Sequence, residues 1–224
     1  SVSFLLSSLR IPPLFILDCI IMKLTSRDLI FAAINGAFIG ILAPFIFANL
    51  SVKLPVSEIV FVFRLALLSA IGVAVGYFLS RIKSFFFELA KFGLIGVTNT
   101  VIDLGLFNLF IYFSHVSDGY MVSVFKSFSV LAAIANSFVW NKYWSFAKKD
   151  NENVGEEFTH FLAVSLVGLL MNVGITSFVV NVMTAPAGFS DKAWANIGAL
   201  IATILVLTWN FVGYKFFVFK KRDA

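Results

Sequence analysis

The sequence predicts an all-α integral membrane protein with six transmembrane helices: an N-terminal two-helix hairpin, then a four-helix core made of two tandem two-helix repeats. Three observations carry this. The chain is 60% hydrophobic, with mean hydropathy +0.96 and 28 Phe; soluble domains run at about 45–50% apolar, and one of this length has no interior to hold so much aliphatic and aromatic bulk. Six segments are long enough to cross hydrocarbon ~30 Å thick, which takes about 20 residues each. And residues 91–111 and 160–180 repeat nearly the same apolar pattern, each followed by a second apolar segment with a basic-aromatic ending.

Residues 1–26 form an N-terminal extension. Ile11-Pro12-Pro13 interrupts an apolar run too short to span, and Met22-Lys23-Leu24-Thr25-Ser26-Arg27 reads like a natural start. No small-residue cleavage site marks a signal peptide, and Asp18 before Cys19 argues against lipid attachment. The preferred reading is an upstream or interfacial segment without a functional role.

Residues 27–87 form the hairpin, with spans near 28–48 and 58–80. The first carries Gly36-x-x-x-Gly40 and the second Gly72-x-x-x-Gly76. Glycines four apart make a flat stripe that a neighbouring backbone can approach closely, so these two helices are expected to pack tightly on each other. Pro44 is expected to bend the first near its outer end.

Residues 88–224 form the duplicated core, with spans near 89–113, 120–146, 157–183 and 193–219. The first helices of the two repeats align at an offset of 69, placing Gly96, Asn99 and Asp103 against Ser165, Gly168 and Asn172. These positions share one helix face. The second helices align at an offset of 73, placing Ser137, Lys142 and Phe146 against Asn210, Lys215 and Phe219. Both units start on the same side, so the copies are related by an axis along the membrane normal.

Basic residues set the orientation. One set of segments, including both ends of the chain, holds 13 of the 17 Lys and Arg; the opposite loops hold only Lys53 and Lys192, and Arg64 and Lys126 fall within spans. By the positive-inside rule both termini are cytoplasmic. The net charge of +5 is explained by this bias, and with no basic stripe or recognition motif no nucleic-acid partner is expected. A single cysteine excludes an intrachain disulfide and multi-cysteine metal motifs. His115 and His160 fall on opposite sides, so no metal site is expected. No nucleophile–base pair suggests an enzyme, and no cofactor is implied. The acidic run Asp150, Glu152, Glu156 and Glu157 reads as a solvated loop.

Four stretches carry a family resemblance: Lys91-Phe92-Gly93-Leu94-Ile95-Gly96-Val97-Thr98-Asn99-Thr100, Asn136-Ser137-Phe138-Val139-Trp140-Asn141-Lys142-Tyr143-Trp144-Ser145-Phe146, Glu157-Phe158-Thr159-His160-Phe161, and Asn210-Phe211-Val212-Gly213-Tyr214-Lys215-Phe216-Phe217-Val218-Phe219. The core thereby resembles the GtrA-like family of small membrane proteins over about residues 88–219, leaving the hairpin outside. Tyr214 stands where that pattern has Asn. The resemblance implies a multi-pass protein of the cytoplasmic (inner) membrane that moves polyprenyl-phosphate-linked sugars for cell-surface glycan synthesis. It carries over no catalytic residue.

Under that expectation the candidate substrate-binding residues are Asp103, Asn99, Lys126, Asn172, Asn136, Asn141, Lys142 and Lys215. A lone carboxylate near mid-membrane needs a partner or a water-filled cavity, and Lys126 is the expected charge partner, its long side chain reaching inward. Two readings stand side by side. Asp103 with Lys126, Asn99 and Asn172 lines a polar passage between the repeats or couples transport to protons, or the pair only fixes helix packing. Lys142 and Lys215, at equivalent cytoplasmic ends, suit a phosphate at headgroup level or are ordinary snorkelling lysines. The leading function is a flippase for a polyprenyl-phosphate monosaccharide. The alternatives are a non-transporting scaffold for a glycosyltransferase and a proton-coupled small-molecule exporter. Expected partners are the lipid-linked sugar, membrane lipid, a glycosyltransferase and a second copy in a homodimer.

Overall fold

A computed structural model describes residues 23–49, 53–54, 56–116, 120–148, 151–183, 185–186 and 191–220. The extension up to Met22, including Cys19, lies outside them, as do Pro55, Lys149, Asp150, Gly188, Lys221 and Arg222. The described residues hold no strand. They form α1 (Ser26–Asn49), α2 (Glu58–Leu79), α3 (Phe85–Ser114), α4 (Tyr120–Trp140), α5 (Val154–Asn181) and α6 (Asp191–Gly213). All six contain a stretch long and apolar enough to cross a membrane, so the expected all-α, six-span architecture holds, with ends displaced by a few residues. Apolar residues run all round these helices, the pattern of a membrane span rather than of a surface helix.

The start of α1 is fixed by its sequence. The Thr25 backbone N–H and hydroxyl both donate to Asp28 Oδ2, at 3.0 and 2.6 Å, while the Asp28 N–H donates back to the Thr25 hydroxyl at 3.2 Å. This reciprocal cap satisfies donors that a helix start leaves unpaired.

The chain divides into two compact units, with the division inside α4 between Ile134 and Ala135. In the first, α1, α2 and α3 pack on one another. Gly36 and Gly40 lie against α2: a Cβ on Gly36 would meet the Leu65 carbonyl and the Ala66 backbone, and one on Gly40 would sit 2.6 Å from Val62 Cα. The α1 motif therefore does what was expected. The α2 motif does not. Gly76 faces Ala90 of α3, and a Cβ on Gly72 would meet nothing within 4 Å. The spacing of small residues marks a flat stripe without naming the neighbour that uses it. Leu42 of α1, Ile102 of α3 and Ala133 of α4 form a buried apolar cluster in this unit.

The second unit holds the end of α4 and the α5–α6 hairpin. Two indoles staple α6 to α5: Trp209 Nε1 donates to the Val164 carbonyl at 3.0 Å, and Trp194 Nε1 to the carbonyls of Val179 and Met183 at 3.0 and 3.2 Å. Close approach is allowed at Gly168, against Asn210, and at Gly213, against Val164.

Both α4 and α6 end in a feature the expected straight helices to 146 and 219 lacked. Each finishes in a π-helical turn, Asn141–Ser145 and Tyr214–Val218. The closing bonds run from Phe146 N–H to the Asn141 carbonyl at 2.9 Å and from Phe219 N–H to the Tyr214 carbonyl at 2.8 Å. Such turns are rare and recur at functional sites. Here both repeats place one at the same register.

Candidate functional site

Among the described residues, three ion-paired clusters sit on the helices and their ends. The first is on α3 and α4 of the first unit. Asp103 lies ~27 Å along α3 from Phe85, at about 1.5 Å per residue, well inside a helix of 30 residues. Lys126 Nζ, two turns into α4, donates to both carboxylate oxygens of Asp103, each at 2.7 Å. Ser129 Oγ lies 2.8 Å from Asp103 Oδ1. Phe107 and Lys126 make a cation–π contact at 5.6 Å, and the Phe110 and Phe125 rings meet at 5.5 Å farther along the same two helices. The side chains of Asp103 and Lys126 remain 27% and 43% exposed. This is an ion pair inside two apolar helices whose side chains the protein itself covers only in part. Asn99 sits half-buried one turn away on the Asp103 face.

The second cluster is also in the first unit. Lys91 Nζ is 2.5 Å from Asp28 Oδ1, both side chains are nearly inaccessible, and the ammonium stands 3.9 Å from the centre of the Phe87 ring. It ties the start of α1 to the first third of α3.

The third is in the second unit. Lys142, in the π-turn after α4, is completely buried and pairs with Glu157 Oε2 at 2.5 Å; Lys148 pairs with Oε1 at the same distance. The Lys148 N–H donates to the Lys142 carbonyl at 2.8 Å, so the backbone after the turn folds back to bring both cations onto one carboxylate. Glu157 lies in the first turns of α5, where the helix dipole favours an anion. At 4% exposure it corrects the expectation of a solvated acidic loop; Glu152 and Glu156 are exposed as expected. An aromatic wall stands beside this cluster. Phe138 meets Phe158, Phe161 and Phe219 at 5.2, 5.6 and 5.7 Å, and Phe161 stacks on Tyr214 at 4.6 Å.

A model of the family described as "GtrA/DPMS, transmembrane domain" matches residues 91–219. The chain belongs to the GtrA/DPMS transmembrane-domain family. It is also similar to the uncharacterized membrane protein YngA of Bacillus subtilis (strain 168), 34% identical over 131 residues, which are 58% of this chain and 78% of YngA. No solved structure matches it significantly. The GtrA/DPMS region begins at Lys91 and ends on Phe219, the last residue of the second π-turn bond. It takes in α4, α5, α6 and most of α3, and leaves the α1–α2 hairpin outside.

Within the GtrA/DPMS region, the candidate residues fall into two groups. Asn99, Asp103 and Lys126 lie in the first unit, with Asp103 and Lys126 in contact. Asn136, Asn141, Lys142, Asn172 and Lys215 lie in the second. Asn136 and Asn172 are half-buried. Asn141 is buried; its Nδ2 donates to the Ser137 carbonyl at 2.9 Å while its Oδ1 has no partner. Lys215 is partly exposed, with Phe211 and Phe216 rings at 5.8 and 5.9 Å. Tyr214, where the family pattern has Asn, holds a different bond: its hydroxyl and Ser165 Oγ are 2.6 Å apart. Three residues of these clusters were not among the candidates read from the sequence. Ser129 lies one turn beyond Lys126, on the face that meets Asp103. Asp28 is signalled by the Thr25-x-x-Asp28 spacing of a cap. Glu157 is signalled by its place one turn before Phe161, on the face the apolar pattern buries.

Proposed function

We propose that this protein translocates a polyprenyl-phosphate-linked monosaccharide across the cytoplasmic membrane for cell-surface glycan synthesis, with both ends of the chain in the cytoplasm. It acts as a carrier rather than an enzyme. The observation that supports this reading most is the Asp103–Lys126–Ser129 cluster, a partly uncovered ion pair inside the spans in a family of membrane domains. Charged side chains inside a span are costly and are kept for substrate paths or internal pairs.

The chemistry fits the cargo. A lipid-linked sugar carries an anionic phosphate and several hydroxyls past a hydrocarbon barrier, while its prenyl tail remains in lipid. Lys126 can exchange its carboxylate partner for the phosphate, a charge-assisted contact of similar strength. Asp103, released, accepts hydrogen bonds from sugar hydroxyls, with Ser129 and Asn99 adding further polar groups. One ion pair is traded for another, and the head group keeps most of the solvation it would lose in hydrocarbon. At the lysine-rich ends of the spans the two repeat-equivalent cations divide the work. Lys142 is sealed and neutralised by Glu157, so the partly exposed Lys215 is the one placed to meet a headgroup phosphate. A glycosyltransferase on that side would supply the substrate.

The test is flipping of polyprenyl-phosphate-hexose in proteoliposomes, read by an impermeant hydrolase on the far side. Transport by wild type with loss in Asp103→Asn and Lys126→Met supports the reading. Equal exposure with and without folded protein, across several hexoses, shifts the function to a membrane scaffold. Wild-type transport in both variants reduces the pair to a packing device.

A further inference from the structure

The α1–α2 hairpin lies outside the GtrA/DPMS region, yet it builds a cavity of its own with the end of α3. The cavity holds about 450 Å³ and is lined by residues that include Gly40, Pro44, Phe45, Glu58, Val62 and Tyr112. That volume is within the range of small-molecule sites, about 300–1,000 Å³.

We propose that this cavity binds an organic ammonium group. Its lining carries one carboxylate and no basic side chain, a set that favours a cation over an anion. Glu58 supplies a carboxylate, and among the described residues it makes no ion pair. Pro44 has no N–H, so the Gly40 carbonyl one turn earlier loses its helical partner and is left as an acceptor at the cavity wall. Phe45 and Tyr112, edge to face at 5.7 Å, add the aromatic surface that favours alkylammonium ions. The helix ends add to the field. The ends of α1 and α3 at the site present the negative, carbonyl end of a helix, while α2 enters with its positive N-terminal turn, which the Glu58 carboxylate in that turn offsets. The remaining walls, Ile41, Ile59 and Val62 among them, are apolar and suit the body of an amphiphile. An ammonium can come from an aminophospholipid headgroup or from a free amphiphilic amine; the site chemistry is the same for both.

The test uses the full chain in phosphatidylglycerol nanodiscs, with benzyltrimethylammonium as the probe and neopentylbenzene, its uncharged isostere, as competitor. Binding to protein-free discs is subtracted. Two variants serve: Glu58→Gln removes the charge, and Ala48→Trp fills the cavity from an exposed lining position. The expected result is saturable binding to wild type, at least tenfold weaker in each variant, and no competition by neopentylbenzene. Adding phosphatidylethanolamine to the discs separates the two sources: competition with the probe identifies a lipid headgroup, and its absence a free amine. No saturable binding to wild type, or wild-type affinity in both variants, overturns the proposal. Sugar-lipid flipping measured on the same samples keeps it separate from the transport reading, since either activity can fail while the other persists.

Discussion

Replacing Glu157 by Gln tests whether the Lys142 cluster is part of the framework or a binding site. Lys142 is fully inaccessible and its ammonium lies 2.5 Å from Glu157 Oε2. At an effective dielectric of about 20, two unit charges at that distance attract by about 7 kcal/mol. Burying both ions cancels most of this, so the pair need not add net stability. Removing one partner is different, because an uncompensated buried charge remains, and such losses run to about 3–5 kcal/mol. Glu157→Gln leaves Lys142 facing a neutral amide with the Tyr143 ring 5.5 Å away. For a chain of this size each kcal/mol lowers Tm by about 2–4 °C, giving a drop of roughly 6–20 °C. The double variant Lys142→Met/Glu157→Gln replaces the pair with a similar volume and no charge, and is expected to regain most of the loss. Lys148, 12% exposed, can turn its ammonium to water in both variants. Thermal unfolding in detergent, followed by tryptophan fluorescence, reads the effect. A Glu157→Gln protein melting within about 2 °C of wild type, or a double variant no better than the single, would refute a structural pair and return Lys142 to the list of substrate contacts.

The remaining predictions separate packing from transport. Asp103→Asn is expected to abolish flipping, and Asp103→Asn/Lys126→Met, which leaves no uncompensated charge inside the spans, is expected to fail at flipping as well while lowering Tm by less than about 4 °C; wild-type flipping by the double variant would mark the pair as structural instead. Gly36→Val is expected to destabilise by about 1–3 kcal/mol, since its side chain runs into the α2 backbone, whereas Gly72→Val, with open space around it, melts with wild type; equal melting of the two would refute the assigned helix contact. Tyr214→Phe removes the Ser165 hydroxyl bond but keeps the ring on Phe161, for a cost of about 1 kcal/mol; a loss above about 3 kcal/mol in the same unfolding assay would show that the hydroxyl holds more than this bond.

The sequence displays those features whose cause is local. A span needs only an apolar run of sufficient length, and the six helices follow from that. Asp103 and Lys126 were legible as a pair because each is a charge isolated in apolar surroundings, one helix apart, with few other partners available. The Lys142–Glu157 pair was not. A lysine at the end of a span looks the same whether it snorkels into headgroups or turns inward, and a glutamate in an acidic run looks solvated until the aromatic residues around it are assembled. The contacts of Phe138 with Phe158, Phe161 and Phe219 join residues up to 81 positions apart in sequence, and no window along the chain contains that information. The π-turns were invisible for another reason. Five residues are too few to impose a period, and the pattern around them remains that of an α-helix.

Those turns show what duplication kept and what it released. In both repeats the closing bond ends on a phenylalanine, and the two, Phe146 and Phe219, stack on each other with ring centres 5.6 Å apart. The repeated ending therefore works as a self-complementary joint within the second unit, which accounts for the matching backbone at both places. The residue that opens each turn has diverged. Asn141 bonds back to its own helix and keeps one buried oxygen unpartnered, whereas Tyr214 reaches across to Ser165 of α5. The following lysines differ in burial, Lys142 fully enclosed beside a carboxylate and Lys215 partly exposed. A joint needs the same shape on both sides, and the two stacked phenylalanines supply it. Backbone and aromatic positions thus match where the two endings pack on each other, while the polar side chains beside them, which the joint does not use, hold different partners.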